Sequence, residues 1–161
     1  MAEYQRETRV RAPLEDVWAF HSTVDGLVAL TPDWMRMRVE SIVGPDGERD
    51  PEILDTGAEI RASVRPFGVG PRQRWTSRIV ERESGEGVAR FRDEMIGGPF
   101  AHWVHTHSFF AADDGTTLAR DHIEYELPGG AAGRAVSPLA VVGFEPMFRY
   151  RHRRTRKLLE E

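Results

Sequence analysis

The sequence predicts an α+β fold, in which one long C-terminal helix covers the apolar face of a seven-stranded antiparallel sheet. Three observations carry this. Six successive segments between about residue 36 and residue 127 alternate apolar and charged residues with period two, after one earlier segment at 3–10. Mostly short, turn-rich stretches join them, as antiparallel neighbours require. After PGGAAG the pattern changes to helical spacing, and nothing else in the chain is long enough to cover such a sheet.

The elements follow in order. EYQRETRV, residues 3–10, alternates weakly and reads as the first strand. In RAPLEDVWAF, Pro13 suits a first helical turn and Glu15 and Asp16 suit its positive end. Leu14, Val17 and Trp18 share one face. A second short helix is expected within residues 23–30, stopped by Pro32. In the second strand Met37, Val39, Ser41 and Val43 share a face; GPDGERDPEILDTG is a long polar loop. The third strand sets Ala58, Ile60, Ala62 and Val64 against Glu59, Arg61 and Arg65, and PFGVGP is a turn. Next come Trp75, Ser77 and Ile79, then Ala89, Phe91, Asp93 and Met95, each set opposed by charged residues. The last strand presents Ala119, Asp121, Ile123, Tyr125 and Leu127 on one face. In the terminal helix Phe144, Phe148, Arg151, Thr155 and Leu158/Leu159 share a stripe, with a kink expected at Pro146.

Composition narrows the function. The chain has 161 residues, 40% of them apolar, with a net charge of −4 and no cysteine. Disulfides and thiolate chemistry are excluded. No apolar run approaches the ~20 residues of a spanning helix. The polar start reads as lacking a signal peptide, so a cytoplasmic protein is expected. The acidic balance argues against nucleic acid or anionic membrane as a partner of the whole surface. The basic stretch RYRHRRTRK, 149–157, reads as a solvated helix face near the negative helix end, with membrane or nucleic-acid contact as the alternative.

The densest chemistry lies in FAHWVHTHSF, residues 100–109, which holds His102, His105 and His107. On a strand His105 and His107 point one way, with Trp103 and Phe109, and His102 the other. AADDGT reads as a three-residue hairpin loop, Asp113-Asp114-Gly115, with Gly115 left-handed. That register pairs Trp103 with Tyr125, His105 with Ile123 and His107 with Asp121. A two-residue loop would oppose apolar to charged faces. The covered face therefore carries Asp93, His105, His107, Asp121 and Tyr125 among apolar neighbours, with Ser41 and Ser77 as further polar candidates.

Together these segments resemble a known family. APLEDVW is similar to the opening of the START-like, or SRPBCC, ligand-binding superfamily. GPFAHWVHTHSF, ARDHIEYELP and MFRYRHRRTRKLL resemble its polyketide cyclase/dehydrase and lipid-transport-like branch. The resemblance spans nearly the whole chain. It implies the helix-grip fold, a single ligand-binding domain over residues 1–161, and an apolar cavity between sheet and terminal helix.

Three roles for the histidine strand stay open. It is a satisfied polar cluster with a His107–Asp121 pair. Alternatively it lines a cavity and meets a ligand's polar end, or acts as acid and base. Lastly, His at i and i+2 with an Asp could ligate Zn²⁺; because a carboxylate neighbour already explains the pair, no metal or other cofactor is expected. Binding of a small hydrophobic or amphipathic molecule such as a lipid, quinone or polyketide is the preferred function. Its expected contacts are Trp75, Phe91, Asp93, Trp103, His105, His107, Asp121, Tyr125, Phe144 and Phe148. The runner-up is a cyclase or dehydratase with His105 or His107 as base, Asp121 and Asp93 as partners and Tyr125 as a donor. Docking through the basic helix is the third.

Overall fold

The computed structural model describes residues 1–161. Strand β1 (Ala2–Val10) leads into two short helices, α1 (Leu14–His21) and α2 (Val24–Ala29). Glu15 and Asp16 occupy the first turn of α1, and the Thr23 hydroxyl caps α2 by accepting the Gly26 N–H at 3.2 Å. Six strands follow: β2 (Arg38–Val43), β3 (Glu59–Val64), β4 (Gln73–Gly85), β5 (Val88–Ile96), β6 (His102–Ala111) and β7 (Thr117–Glu126). They form one antiparallel sheet in the order β1-β7-β6-β5-β4-β3-β2. The pair α1–α2 thus carries the chain from one edge of the sheet to the other.

The segment after the sheet is not one helix. Helix α3 (Gly130–Val136) and a 3₁₀ turn (Ser137–Ala140) precede α4 (Val141–Leu159). The expected break falls at the 3₁₀ turn, where Pro138 sits, while Pro146 lies within α4. Helix α4 covers the sheet and is fastened to β1, where the Tyr4 hydroxyl donates to Glu145 at 2.6 Å and Arg6 pairs with the same carboxylate.

Strand β2 departs from strict alternation. A bulge between Val39 and Ser41 shifts its register against β3. Ile42 therefore packs inward, and Val43, expected inside, is 37% exposed. Ser41 is half-buried and takes no part in the cavity.

The interior is divided rather than continuous. One apolar cluster joins Val10, Val17, Phe109 and Ala119 under α1. A second joins Tyr4, Ile123, Tyr125, Phe144 and Phe148 under α4. A third joins Leu54, Ala58, Ile60, Ala62 and Ile79 near α2. Between them lie a cavity and a set of buried histidines and aspartates. No helix is long and apolar enough to cross a membrane.

Candidate functional site

The β6–β7 hairpin sets the geometry. Its loop is the bulged three-residue form: the Ala112 N–H donates to the Thr116 carbonyl at 2.9 Å, and Gly115 has φ 82°. Only glycine adopts that conformation without strain. The register follows as expected, with Trp103 opposite Tyr125, His105 opposite Ile123 and His107 opposite Asp121. His105, His107 and Asp121 are buried on the covered face, and His102 is half-buried on the other.

The His107–Asp121 pair is present, with Nδ1 to Oδ1 at 3.1 Å. It belongs to a larger network. The other nitrogen of His107, Nε2, lies 3.2 Å from Oδ2 of Asp93, whose Oδ1 accepts from Ser77 at 3.2 Å. His105 Nε2 lies 2.8 Å from Oδ1 of Asp121. From α4, His152 Nε2 lies 2.6 Å from Oδ2 of the same carboxylate. An ionised carboxylate only accepts, so each of these nitrogens carries its proton towards the aspartate it faces: His107 Nε2 towards Asp93, the others towards Asp121. The His107 ring lies flat on Phe91, with centroids 4.0 Å apart, and the His105 ring is 3.6 Å away.

Charge is distributed unevenly over this network. Burial alone would disfavour charge on both aspartates. The hydrogen bonds from histidine reverse that, holding Asp93 below the usual carboxylate range and Asp121 well below it. Burial also disfavours charged His107, but bonds to Asp121 and Asp93 on its two nitrogens raise its pKa above that of free imidazole. For His105, burial and the neighbouring charge of His107 outweigh the bond to Asp121 and lower the pKa to about 4. At neutral pH His105 is therefore a neutral imidazole whose Nε2–H is fixed by Asp121, leaving Nδ1 as a lone pair.

Beside the network is a cavity of about 170 Å³ lined by 25 residues, 15 of them hydrophobic. This is room for many waters or one small organic molecule. Trp75, Phe91, Asp93, Trp103, His105, His107 and Phe148 line it, as do Ser77 and Ile79. Every methionine except Met1 also lines it: Met35, Met37, Met95 and Met147. Flexible thioether chains suit a wall that fits itself to an irregular guest. Close by, the turn Pro66–Gly68 lays Phe67 flat against Trp34, with ring centroids 5.0 Å apart, next to the cavity-lining Met35.

Three of the expected contacts do not reach the cavity. Asp121 stands behind the two histidines it orients. Tyr125 is 1% exposed, its ring edge-on to Phe144 at 4.8 Å and its hydroxyl donating to the Ser137 carbonyl at 2.7 Å. Both rings belong to the apolar cluster under α4.

Three polar residues around the site went unassigned in the sequence. His152 lies one turn beyond Phe148 on the buried stripe of α4, hidden within a basic run read as solvated. His21 lies one turn beyond Val17 on α1 and lines the cavity, its ring 4.6 Å from that of Phe109. Arg151 belongs to the predicted helical stripe, and the structure places it on the cavity wall. Asp93, His105 and His107 also offer one ligand atom each within 4.8 Å of one another, a spacing that could take a metal ion.

Comparison with known proteins agrees with the fold. Residues 10–145 match the family model for polyketide cyclase/dehydrase and lipid transport. No curated protein matches the sequence. Truncated norcoclaurine synthase from Thalictrum flavum superposes with a TM-score of 0.68 at 18% identity, over 99% of this chain and 94% of that one. The Zhui aromatase/cyclase from Streptomyces sp. R1128 gives 0.67 at 15% identity, over 99% and 93%. A protein from Chromobacterium violaceum gives 0.67 at 16% identity, over 99% and 97%. At these identities the likeness is one of fold, the helix-grip arrangement of sheet and terminal helix.

Proposed function

The chain belongs to the polyketide cyclase/dehydrase and lipid transport family, and from that premise we propose that it binds a small hydrophobic or amphipathic molecule between sheet and α4. The cavity carries this reading: an apolar wall with a few convergent polar groups is the usual form of a small-molecule site. Its modest volume favours a compact guest, or one end of a longer one. Leu27, Leu30, Ile60 and Trp75 supply apolar contact, and the histidines supply polar contact. Native mass spectrometry of protein purified from its own host is the test. Stoichiometric retention of a small molecule, lost on filling the cavity with Leu27→Trp, supports the reading. Release of nothing from the wild type, with no uptake of apolar probes, sinks it.

A second reading rests on His105. Its neutral ring stands on the cavity wall with Nε2–H held by Asp121. That is the arrangement of an oriented general base. Its pKa of about 4 makes it a weak one, so binding remains the first reading. Turnover of a polyketide-like substrate that disappears in a folded, ligand-retaining His105→Gln variant would establish the enzyme instead.

A further inference from the structure

The cavity wall holds a cation without an anion. Arg151 extends from α4 into the lining, half-buried, and its Nε is buried with no hydrogen-bond partner. Its guanidinium makes no ion pair, and its aromatic contact is a distant one, 5.9 Å from the centre of the Phe148 ring. On α4 Arg149 pairs with Glu145 at 3.2 Å, and Arg153, Arg154 and Arg156 make no ion pair either, but Arg151 is the only arginine that lines the cavity. The two carboxylates nearest the cavity cannot serve Arg151, because Asp93 is taken by His107 and Ser77, and Asp121 by three histidines.

The Nε–H is buried without an acceptor while the rest of the half-buried guanidinium is unpaired, so an anionic guest in the cavity would supply the missing partner. His21 stands on the same wall. Its Nδ1–H donates to the Val17 carbonyl at 2.8 Å, so Nε2 is left as an acceptor. Burial, with the charge of Arg151 contributing, lowers its pKa to about 3, so it does not compete as a second cation.

Resting on the cavity-binding reading above, we propose that the guest carries a carboxylate-type anionic group, held by the guanidinium of Arg151, with its apolar body against the α2 side of the cavity. Planar, bidentate recognition of such a group is what arginine does better than lysine. A hydroxyl next to the carboxylate would find its acceptor in His21 Nε2.

The test uses two probes with one ring system, 1-naphthoate and 1-naphthalenemethanol, titrated calorimetrically into the full chain. Wild type should prefer the carboxylate by about tenfold or more. Arg151→Gln should weaken 1-naphthoate by about 10- to 100-fold while leaving the alcohol within about threefold. Arg151→Lys should recover part of the loss, and Leu27→Trp should abolish both. A wild type indifferent to the carboxylate, or an Arg151→Gln variant that keeps the preference, overturns the proposal while the cavity reading stands. If neither probe binds, or if Leu27→Trp weakens neither, the cavity reading falls and this one with it.

Discussion

The Nε2–H of His152 on α4 donates to Oδ2 of Asp121 on β7 across 2.6 Å, joining the covering helix to the sheet through one buried carboxylate. The other oxygen of Asp121 takes His105 and His107. Asp121→Asn turns one accepting oxygen into a donor that faces imidazole N–H groups. It also removes the charge that His107 balances. A loss on the order of 3–5 kcal/mol in denaturant melts is expected. In a double-mutant cycle with His107→Gln the coupling should exceed about 0.5 kcal/mol. Additive losses would mean that the two side chains are not in contact.

Stability should depend on pH with opposite signs at the two ends. His107 is raised in the fold. Its contribution is complete below the free imidazole value of ~6.5 and is lost as pH rises through the raised value. Asp93 and Asp121 are lowered, so theirs is present above ~3.9 and lost as pH falls further. His21 and His105, depressed to about 3 and about 4, resist protons that the unfolded chain takes up. Between pH ~6.5 and ~4 stability should therefore fall with pH, by about 1.4 kcal/mol per pH unit for each extra proton bound by the unfolded chain. His21→Phe keeps the ring against Phe109 and removes one of those protons. Its stability–pH slope in this window should be shallower by about one proton. An unchanged slope would mean that His21 titrates normally in the fold.

The sheet was legible because its physics is local. Alternation gives the face, and the Asp113-Asp114-Gly115 loop fixes the β6–β7 register, which together set His107 opposite Asp121. The bulge in β2 was not legible, since nothing in RVESIV marks the extra residue. Arg151 was placed on the Phe148 stripe by helical spacing, and His152 was readable the same way. Five arginines and a lysine between residues 149 and 157 hid His152, because mean polarity says nothing about which side of a helix each residue occupies. That Tyr125 belongs to the core while Trp103 reaches the cavity depends on where α4 sits, which no strand pattern encodes.

Tyr125→Phe separates those two roles. The variant keeps the edge-on packing against Phe144 and loses only the hydrogen bond to the Ser137 carbonyl. A destabilisation of about 1–2 kcal/mol is expected, since Ser137 is buried and its carbonyl loses a partner. Retention of a bound molecule should not change. Loss of ligand or of turnover in a variant that still folds would return Tyr125 to the site.

The trio Asp93, His105 and His107 has the spacing of a metal site, yet its chemistry favours protons. A metal ion needs a lone pair on each nitrogen. His107 carries a carboxylate on each side of its ring, and both bonds favour the form with a proton on each nitrogen, which raises its pKa. His105 directs Nε2–H to Asp121 and has only Nδ1 to offer. Zinc would have to displace the His107 proton and break its bond to Asp93. Elemental analysis of protein purified without chelators should therefore find no stoichiometric zinc. Added Zn²⁺ should raise the melting temperature more as the pH rises, because rising pH removes the His107 proton that the metal must displace. About one zinc per chain at neutral pH, lost on His107→Ala, would show that the trio is a metal centre and that the hydrogen-bonded network is its empty form.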